Sequence, residues 1–164
     1  MNNLVLIGMP GSGKTTISKE LARRLSVACI DTDRVIEAEM GMPLSRILDV
    51  YGDDGFREIE NRINASISPR RAVIAPGGSV IYGREAMEHY RRIARVIYLE
   101  IDCDALLQRL GDLHSRGVTI RPGQTFQDLY DERCPLYRQW ADMVVETADR
   151  SPFEIVREIL RRLR

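Results

Sequence analysis

Gly8-Met9-Pro10-Gly11-Ser12-Gly13-Lys14-Thr15 fits the spacing G-x-x-x-x-G-K-[ST], whose residue types suit the holding of phosphate. Its glycines allow backbone N–H groups to turn inward around an anion without a Cβ in the way. A helix opening at Lys14 would present unpaired N–H groups and the positive end of its dipole to the same anion. The lysine ammonium can reach β- and γ-phosphates, and the Thr15 hydroxyl can meet Mg²⁺. Asp31-Thr32-Asp33 supplies a second cluster. Residues two apart on an extended segment point the same way, so one carboxylate can orient magnesium waters while the other takes a hydroxyl proton. Asp33 also has the chemistry of an N-cap for the helix that follows. A phosphate loop of this kind serves GTPases, ATPases, nucleotide kinases and small-molecule kinases. At 164 residues there is little room for switch regions or an extra domain, which favours a kinase.

These residues need a frame. Short apolar runs alternate with helical segments, a pattern that predicts an α/β fold with a parallel sheet. Strands are expected at Leu4–Ile7, Val27–Ile30, Ala72–Ala75, Val96–Leu99 and Met143–Val145. Helices are expected near 14–25, 33–40, 43–50, 53–68, 84–93, 103–110, 125–139 and 152–163. The prediction is one domain of three layers, α/β/α, around a five-stranded parallel sheet. The carboxyl ends of the strands would face the ligand crevice, placing Asp31 and Asp33 beside the phosphate loop. In 53–68, Phe56, Ile59, Ile63 and Ile67 form a stripe at helical spacing, and Arg57 and Glu60 lie off it where they can pair. The last helix opens with Ser151, Pro152 and Glu154, a capping box with proline at the first helical position, and Phe153, Val156, Leu160 and Leu163 would form its apolar face. Residues 111–124 have three glycines, a proline and two arginines without periodicity, and read as a mobile loop.

Composition narrows the partners. Net charge is zero, so nothing pulls the chain as a whole toward nucleic acid or anionic membrane. Lys14 and Lys19 are the only lysines; the other cations are arginines, whose planar fork suits carboxylate and phosphate. Cys29, Cys103 and Cys134 fit neither a disulfide framework nor a zinc site, which points to a reducing compartment. No apolar run approaches the roughly 20 residues that span a bilayer, and no leader peptide is recognised, so a cytoplasmic protein is expected. His89 and His114 fall in no metal-ligand pattern and are expected to be exposed.

The motifs together resemble the shikimate kinase family. The phosphate loop, Asp31-Thr32-Asp33, Gly55-Phe56-Arg57 with Glu60, Gly77-Gly78-Ser79-Val80, Arg121-Pro122, and Glu132-Arg133-Cys134-Pro135-Leu136-Tyr137 follow the family's order from residue 8 to about 142. The resemblance implies a nucleotide-kinase strand order and ATP-dependent phosphorylation of shikimate with Mg²⁺, by a monomer. It implies ATP contacts from Gly11, Ser12, Gly13, Lys14, Thr15 and Thr16, lid contacts from Arg121 and Arg116, and an adenine border at Arg150 and Pro152. Asp33, Arg57, Gly77, Gly78 and Arg133 would bind shikimate, Thr15 and Asp31 would serve the metal, and Lys14, Asp33 and Arg121 would carry the catalysis. Two departures stand out: Pro76 occupies the place of the family's first glycine after strand three, and Gly123 follows Arg121-Pro122 where leucines are usual. The alternatives are a kinase of another hydroxy acid or sugar acid, and an ATP-binding regulatory module without catalysis.

Overall fold

The computed structural model describes residues 3–110 and 120–164. Its centre is β1 (Asn3–Ile7), every residue of which is buried. A parallel strand covered on both faces needs such a continuous apolar run. Around it stand β2 (Ala28–Asp31), β3 (Ala72–Ala75), β4 (Ala94–Glu100) and β5 (Met143–Glu146), all parallel, in the order β2-β3-β1-β4-β5. Register is set by pairs such as Leu4 with Val73 and Val5 with Val96. The period of two along β1 divides its side chains between two cores. Leu4 and Leu6 join Ile17 and Leu21 of α1 (Lys14–Leu25) and Ile155, Val156 and Ile159 of α7 (Pro152–Arg162). On the other face, Val5 and Ile7 meet Met87 and Tyr90 of α4 (Arg84–Ile93), Leu106 of α5 (Cys103–Leu110) and Tyr137 of α6 (Phe126–Trp140). The predicted three-layer α/β/α arrangement and five-stranded sheet are therefore present. A third core, Ile36, Ile47, Ile59 and Ile63, joins α2 (Thr32–Met40) to α3 (Leu44–Ser66) and contains the predicted stripe.

The two helices expected at 43–50 and 53–68 are both present and run on within α3, parted at Gly52, whose φ of 70° and ψ of −179° are not helical. Several local expectations change. The N-cap of α2 is Asp31 and not Asp33: the Asp31 carboxylate accepts the Asp33 N–H at 3.0 Å, so the helix begins one residue early. The Ser151–Glu154 capping box forms as expected. Phe153, however, is 52% exposed and leaves the apolar face to Ile155, Val156 and Ile159; Arg24 and Arg157 lie over its ring at 5.0 and 5.9 Å. His89 is half-buried, with its Nε2 at 3.1 Å from Ser68 Oγ and 2.9 Å from Ile67 O. His114 and residues 111–119 of the predicted loop lie outside the described residues. Among the described residues no helix is long and apolar enough to cross a membrane.

The sheet's amino edge is tied by one side chain. Asn3 donates to Pro69 O at 2.9 Å and Ile93 O at 3.3 Å, and accepts from Ala72 N at 2.9 Å. Asn3→Ala strands those groups in a buried place and is expected to cost about 2–4 kcal/mol, seen as a fall of several degrees in the thermal midpoint. A midpoint within a degree of wild type, roughly the scatter of a neutral surface change, would contradict this role.

Candidate active site at the carboxyl edge of the sheet

The phosphate loop leaves β1 against the end of β4. A Cβ at Gly8 would stand 2.8 Å from Leu99 O and 3.0 Å from Ser12 Oγ, so only glycine fits this approach. The loop closes with Ser12 N donating to Met9 O at 3.1 Å. Lys14 Nζ donates to Gly8 O at 2.7 Å and Met9 O at 2.8 Å, which leaves one N–H for an anion at the loop. Burial lowers the Lys14 pKa to about 8, against the opposing pull of Asp33, and Arg133 adds to the lowering. Gly13 caps α1 with no side-chain hydrogen bond, and the first turn holds no acidic residue. The Ser12 hydroxyl is buried and unpartnered beside these amides. Backbone and side-chain donors thus converge where an anion would sit.

A cleft of about 1240 Å³ opens from this loop and brings together Lys14, Asp31, Asp33, Arg57, Arg121 and Arg133. Gly11, Gly13, Thr15, Thr16, Gly77 and Gly78 also line it. Asp33 follows β2 and is half-buried. Burial first, and the Asp31 charge second, push its carboxyl up to about 6. It remains largely ionised at neutral pH while being a stronger base than an ordinary carboxylate. Gly77 and Gly78 follow β3 and let these groups crowd together. A Cβ at Gly77 would lie 3.0 Å from Asp33 Oδ1 and 3.2 Å from Glu60 Oε2, and one at Gly78 would lie 3.0 Å from an Arg133 guanidinium nitrogen. Pro76 is buried in the same wall.

Arg133 is 7% exposed on α6, and its Nε has no partner. Among the described residues, neither Arg133 nor Arg57 is within ion-pair distance of a carboxylate. A buried guanidinium without an ion-pair partner is costly, and an anion in the cleft would offset that cost. The expected Arg57–Glu60 pair does not form. Arg57 instead lies with its guanidinium 4.0 Å from the centroid of the Tyr82 ring. Glu60, 2% exposed, accepts from Ser79 Oγ at 2.6 Å and keeps its other oxygen buried without a partner. Sequence spacing gave no hint of Ser79 or Tyr82, because their partners lie on other elements. Both sit in the 3-10 turn Gly78–Tyr82 that follows β3.

The remaining predicted residues divide. Arg121 is exposed at the rim of the cleft, in a turn where Gln124 N donates to Arg121 O at 2.9 Å. Arg116 lies outside the described residues. Arg150 pairs with Glu158 at 2.6 Å and donates to Glu146 O at 2.8 Å, and it does not line the cleft. Pro152 lines a neighbouring hollow of about 410 Å³ with Thr15, Thr16, Lys19 and Phe153. Phe153 is thus a flat apolar face near the phosphate loop that the helical pattern had assigned to the core.

Oxygen donors near the loop suit a hard cation: the Thr15 hydroxyl and the free oxygen of Asp31. No cluster of three or more His, Cys, Asp or Glu that could hold a metal occurs among the described residues. This donor set fits a Mg²⁺ that arrives on nucleotide phosphates rather than one caged by protein alone.

Burial raises the Glu60 carboxyl to about 7, opposed by the Ser79 hydrogen bond. Because the folded pKa exceeds the unfolded value of 4.5, the folded state holds this proton more tightly. Any stabilisation from holding it is therefore present at low pH and lost as pH rises through about 7. Glu60→Gln keeps the shape and cannot ionise. It is expected to gain on wild type by roughly 2 kcal/mol between about pH 5 and pH 8. Denaturant titrations at the two pH values check this, and parallel stability–pH curves would contradict it.

The comparisons with known proteins agree with this geometry. A family model described as shikimate kinase matches residues 10–164. The shikimate kinase of Pseudomonas paraeruginosa is 40% identical over 167 aligned positions, covering 100% of this chain and 97% of that protein. That of Mycobacterium avium is 37% identical, covering 97% of this chain and 92% of that protein. A solved structure, shikimate kinase from Acinetobacter baumannii in complex with shikimate, superposes with a TM-score of 0.88 at 30% identity and covers 99% of this chain and 93% of that one. With a family model matching nearly its whole length and full-length relatives up to 40% identical, the chain belongs to the shikimate kinase family.

Proposed function

We propose that the chain transfers the γ-phosphoryl group of Mg·ATP to the 3-hydroxyl of shikimate, with Asp33 as base and Arg57 and Arg133 holding the acceptor carboxylate. As a member of its family it is an ATP-dependent small-molecule kinase of aromatic amino acid biosynthesis. The observation that carries the residue roles is the cleft in which a phosphate loop, a base and two uncompensated arginines face one another. Two guanidiniums converging on one carboxylate give bidentate, charge-assisted recognition of a small acid. They orient the acceptor so that its hydroxyl oxygen meets the γ-phosphorus in line with the leaving group. The new O–P bond forms as the bond to the β–γ bridging oxygen breaks. The hydroxyl proton passes to Asp33, and ADP leaves with the electron pair.

Lys14, the N–H groups of Gly11, Ser12 and Gly13, and the start of α1 with Thr15 and Thr16 would hold the β- and γ-phosphates. Thr15 and Asp31 would hold Mg²⁺, which neutralises charge on the transferring group. Arg121, with Arg116, would close over the nucleotide as part of a lid near 111–124 that excludes water. Arg150, oriented by its pair with Glu158, and Pro152 would border the adenine. We read the chain as one cytoplasmic domain acting as a monomer.

Two substitutions separate the roles. Asp33→Asn is expected to lower kcat by roughly 10²–10⁴-fold with ATP affinity kept. Arg133→Ala is expected to raise the shikimate KM by roughly 10²-fold while the ATP KM stays close to wild type. Steady-state kinetics with each substrate varied in turn reads both. A near wild-type rate for Asp33→Asn removes that residue from the chemistry. Equal losses for both substrates in Arg133→Ala remove the arginine from acceptor recognition.

A further inference from the structure

Arg57 and Arg133 come from different helices, yet both lie over one ring. The Tyr82 centroid is 4.0 Å from the Arg57 Cζ and 5.6 Å from the Arg133 Cζ. Two cations on one small site repel, and the long side chains that carry them lose rotamer freedom when they are fixed. An aromatic face counters both effects, because its negative quadrupole attracts each guanidinium and its flat surface fixes their planes. A guanidinium held over a ring face keeps N–H groups that the ring does not use, and these are what a carboxylate needs.

The ring itself is held firmly. Tyr82 ends the 3-10 turn that begins at Gly78. Gly78 O accepts from Tyr137 Oη at 2.7 Å, Ser79 Oγ donates to Glu60 at 2.6 Å, and Ile81 O accepts from Trp140 Nε1 at 3.3 Å. Just beyond, Gly83 packs so closely on Asn61 that a Cβ there would lie 2.6 Å from Asn61 Oδ1. The Tyr82 hydroxyl is buried with no hydrogen-bond partner. That hydroxyl nevertheless lies close enough to the Arg133 guanidinium to help raise its pKa, so ring and hydroxyl are two separable contributions.

We propose that Tyr82 is a positioning residue for acceptor binding, its ring serving as a shared platform that fixes the planes of Arg57 and Arg133 toward the acceptor's carboxylate. The inference rests on the assignment of those two arginines to the carboxylate. Loss of the platform should weaken acceptor binding without altering phosphate chemistry.

The test compares Tyr82→Leu, Tyr82→Phe and wild type by steady-state kinetics with shikimate and ATP varied separately, alongside Arg133→Ala. Tyr82→Leu is expected to raise the shikimate KM roughly 3- to 30-fold, with kcat and the ATP KM within about twofold of wild type. Tyr82→Phe keeps the ring and is expected to restore the shikimate KM. An acceptor analogue with the carboxylate replaced by a carboxamide should respond to Tyr82→Leu by less than about twofold, a selectivity that general loosening of the turn would not produce. If Tyr82→Leu does not fold, pentafluorophenylalanine at position 82 reverses the quadrupole at nearly constant shape and should raise the shikimate KM relative to Tyr82→Phe. An unchanged shikimate KM in Tyr82→Leu, a defect in Tyr82→Phe equal to that in Tyr82→Leu, or a parallel rise in both KM values would overturn the proposal. An Arg133→Ala variant with unchanged shikimate KM would instead overturn the assignment of the arginines, so the two failures are told apart.

Discussion

Arg133 holds a positive charge in a place that is 7% exposed, and among the described residues no carboxylate lies within ion-pair distance of it, Glu60 acting on it only from further away. Such an arrangement costs free energy that the surrounding structure must offset and that an anion in the cleft would reduce. Much of the molecule serves to hold it. Tyr137, one turn further along α6, is fully buried, stacks on Tyr98 of β4 with ring centroids 5.1 Å apart, and fixes the turn after β3 through Gly78. That turn in turn holds Glu60 through Ser79 and presents Tyr82 to both arginines. The acceptor end of the cleft is thus one connected unit built from α3, the end of β3 and α6.

The donor end depends on a different constraint, the close passage of the loop past β4. At Gly8 the backbone comes so near Leu99 that a side chain has no room. The loop must therefore turn directly into α1, which points the helix's free N–H groups and Lys14 toward the same space. Asp31 and Asp33 enter from β2, the edge strand beyond β3, and line the same cleft. Phosphoryl transfer asks for little covalent chemistry from protein; it asks for alignment and for charge placed where charge develops. A rigid sheet edge with loops from β1, β2 and β3 supplies both.

How much of this was legible in the sequence follows from the range of each interaction. The phosphate loop could be read because glycine spacing and a lysine act within eight consecutive residues. The Asp31–Asp33 pair and the core stripe of α3 were equally local. Helical spacing allows an Arg57–Glu60 pair, but tertiary packing offers Glu60 the Ser79 hydroxyl and Arg57 the Tyr82 face instead. Phe153 fitted the periodicity of α7, but its position at the first turn puts it beside Arg24 and Arg157 at the surface. The break between the helices at 43–50 and 53–68 was legible too, because Gly52 can take the positive φ that parts them. Tyr82 carried no local signal. Its two partners are 25 and 51 positions away in sequence (82 − 57 and 133 − 82), and only the fold brings them to one ring.

The central claim is that the cleft couples ATP to a small carboxylate acceptor. The most direct measurement is ADP release by the purified chain with Mg·ATP, with and without shikimate. Release is expected to depend strongly on shikimate and to remain near background without it. ATP binding with no shikimate-dependent release would leave the phosphate loop as read and contradict the assignment of the acceptor end.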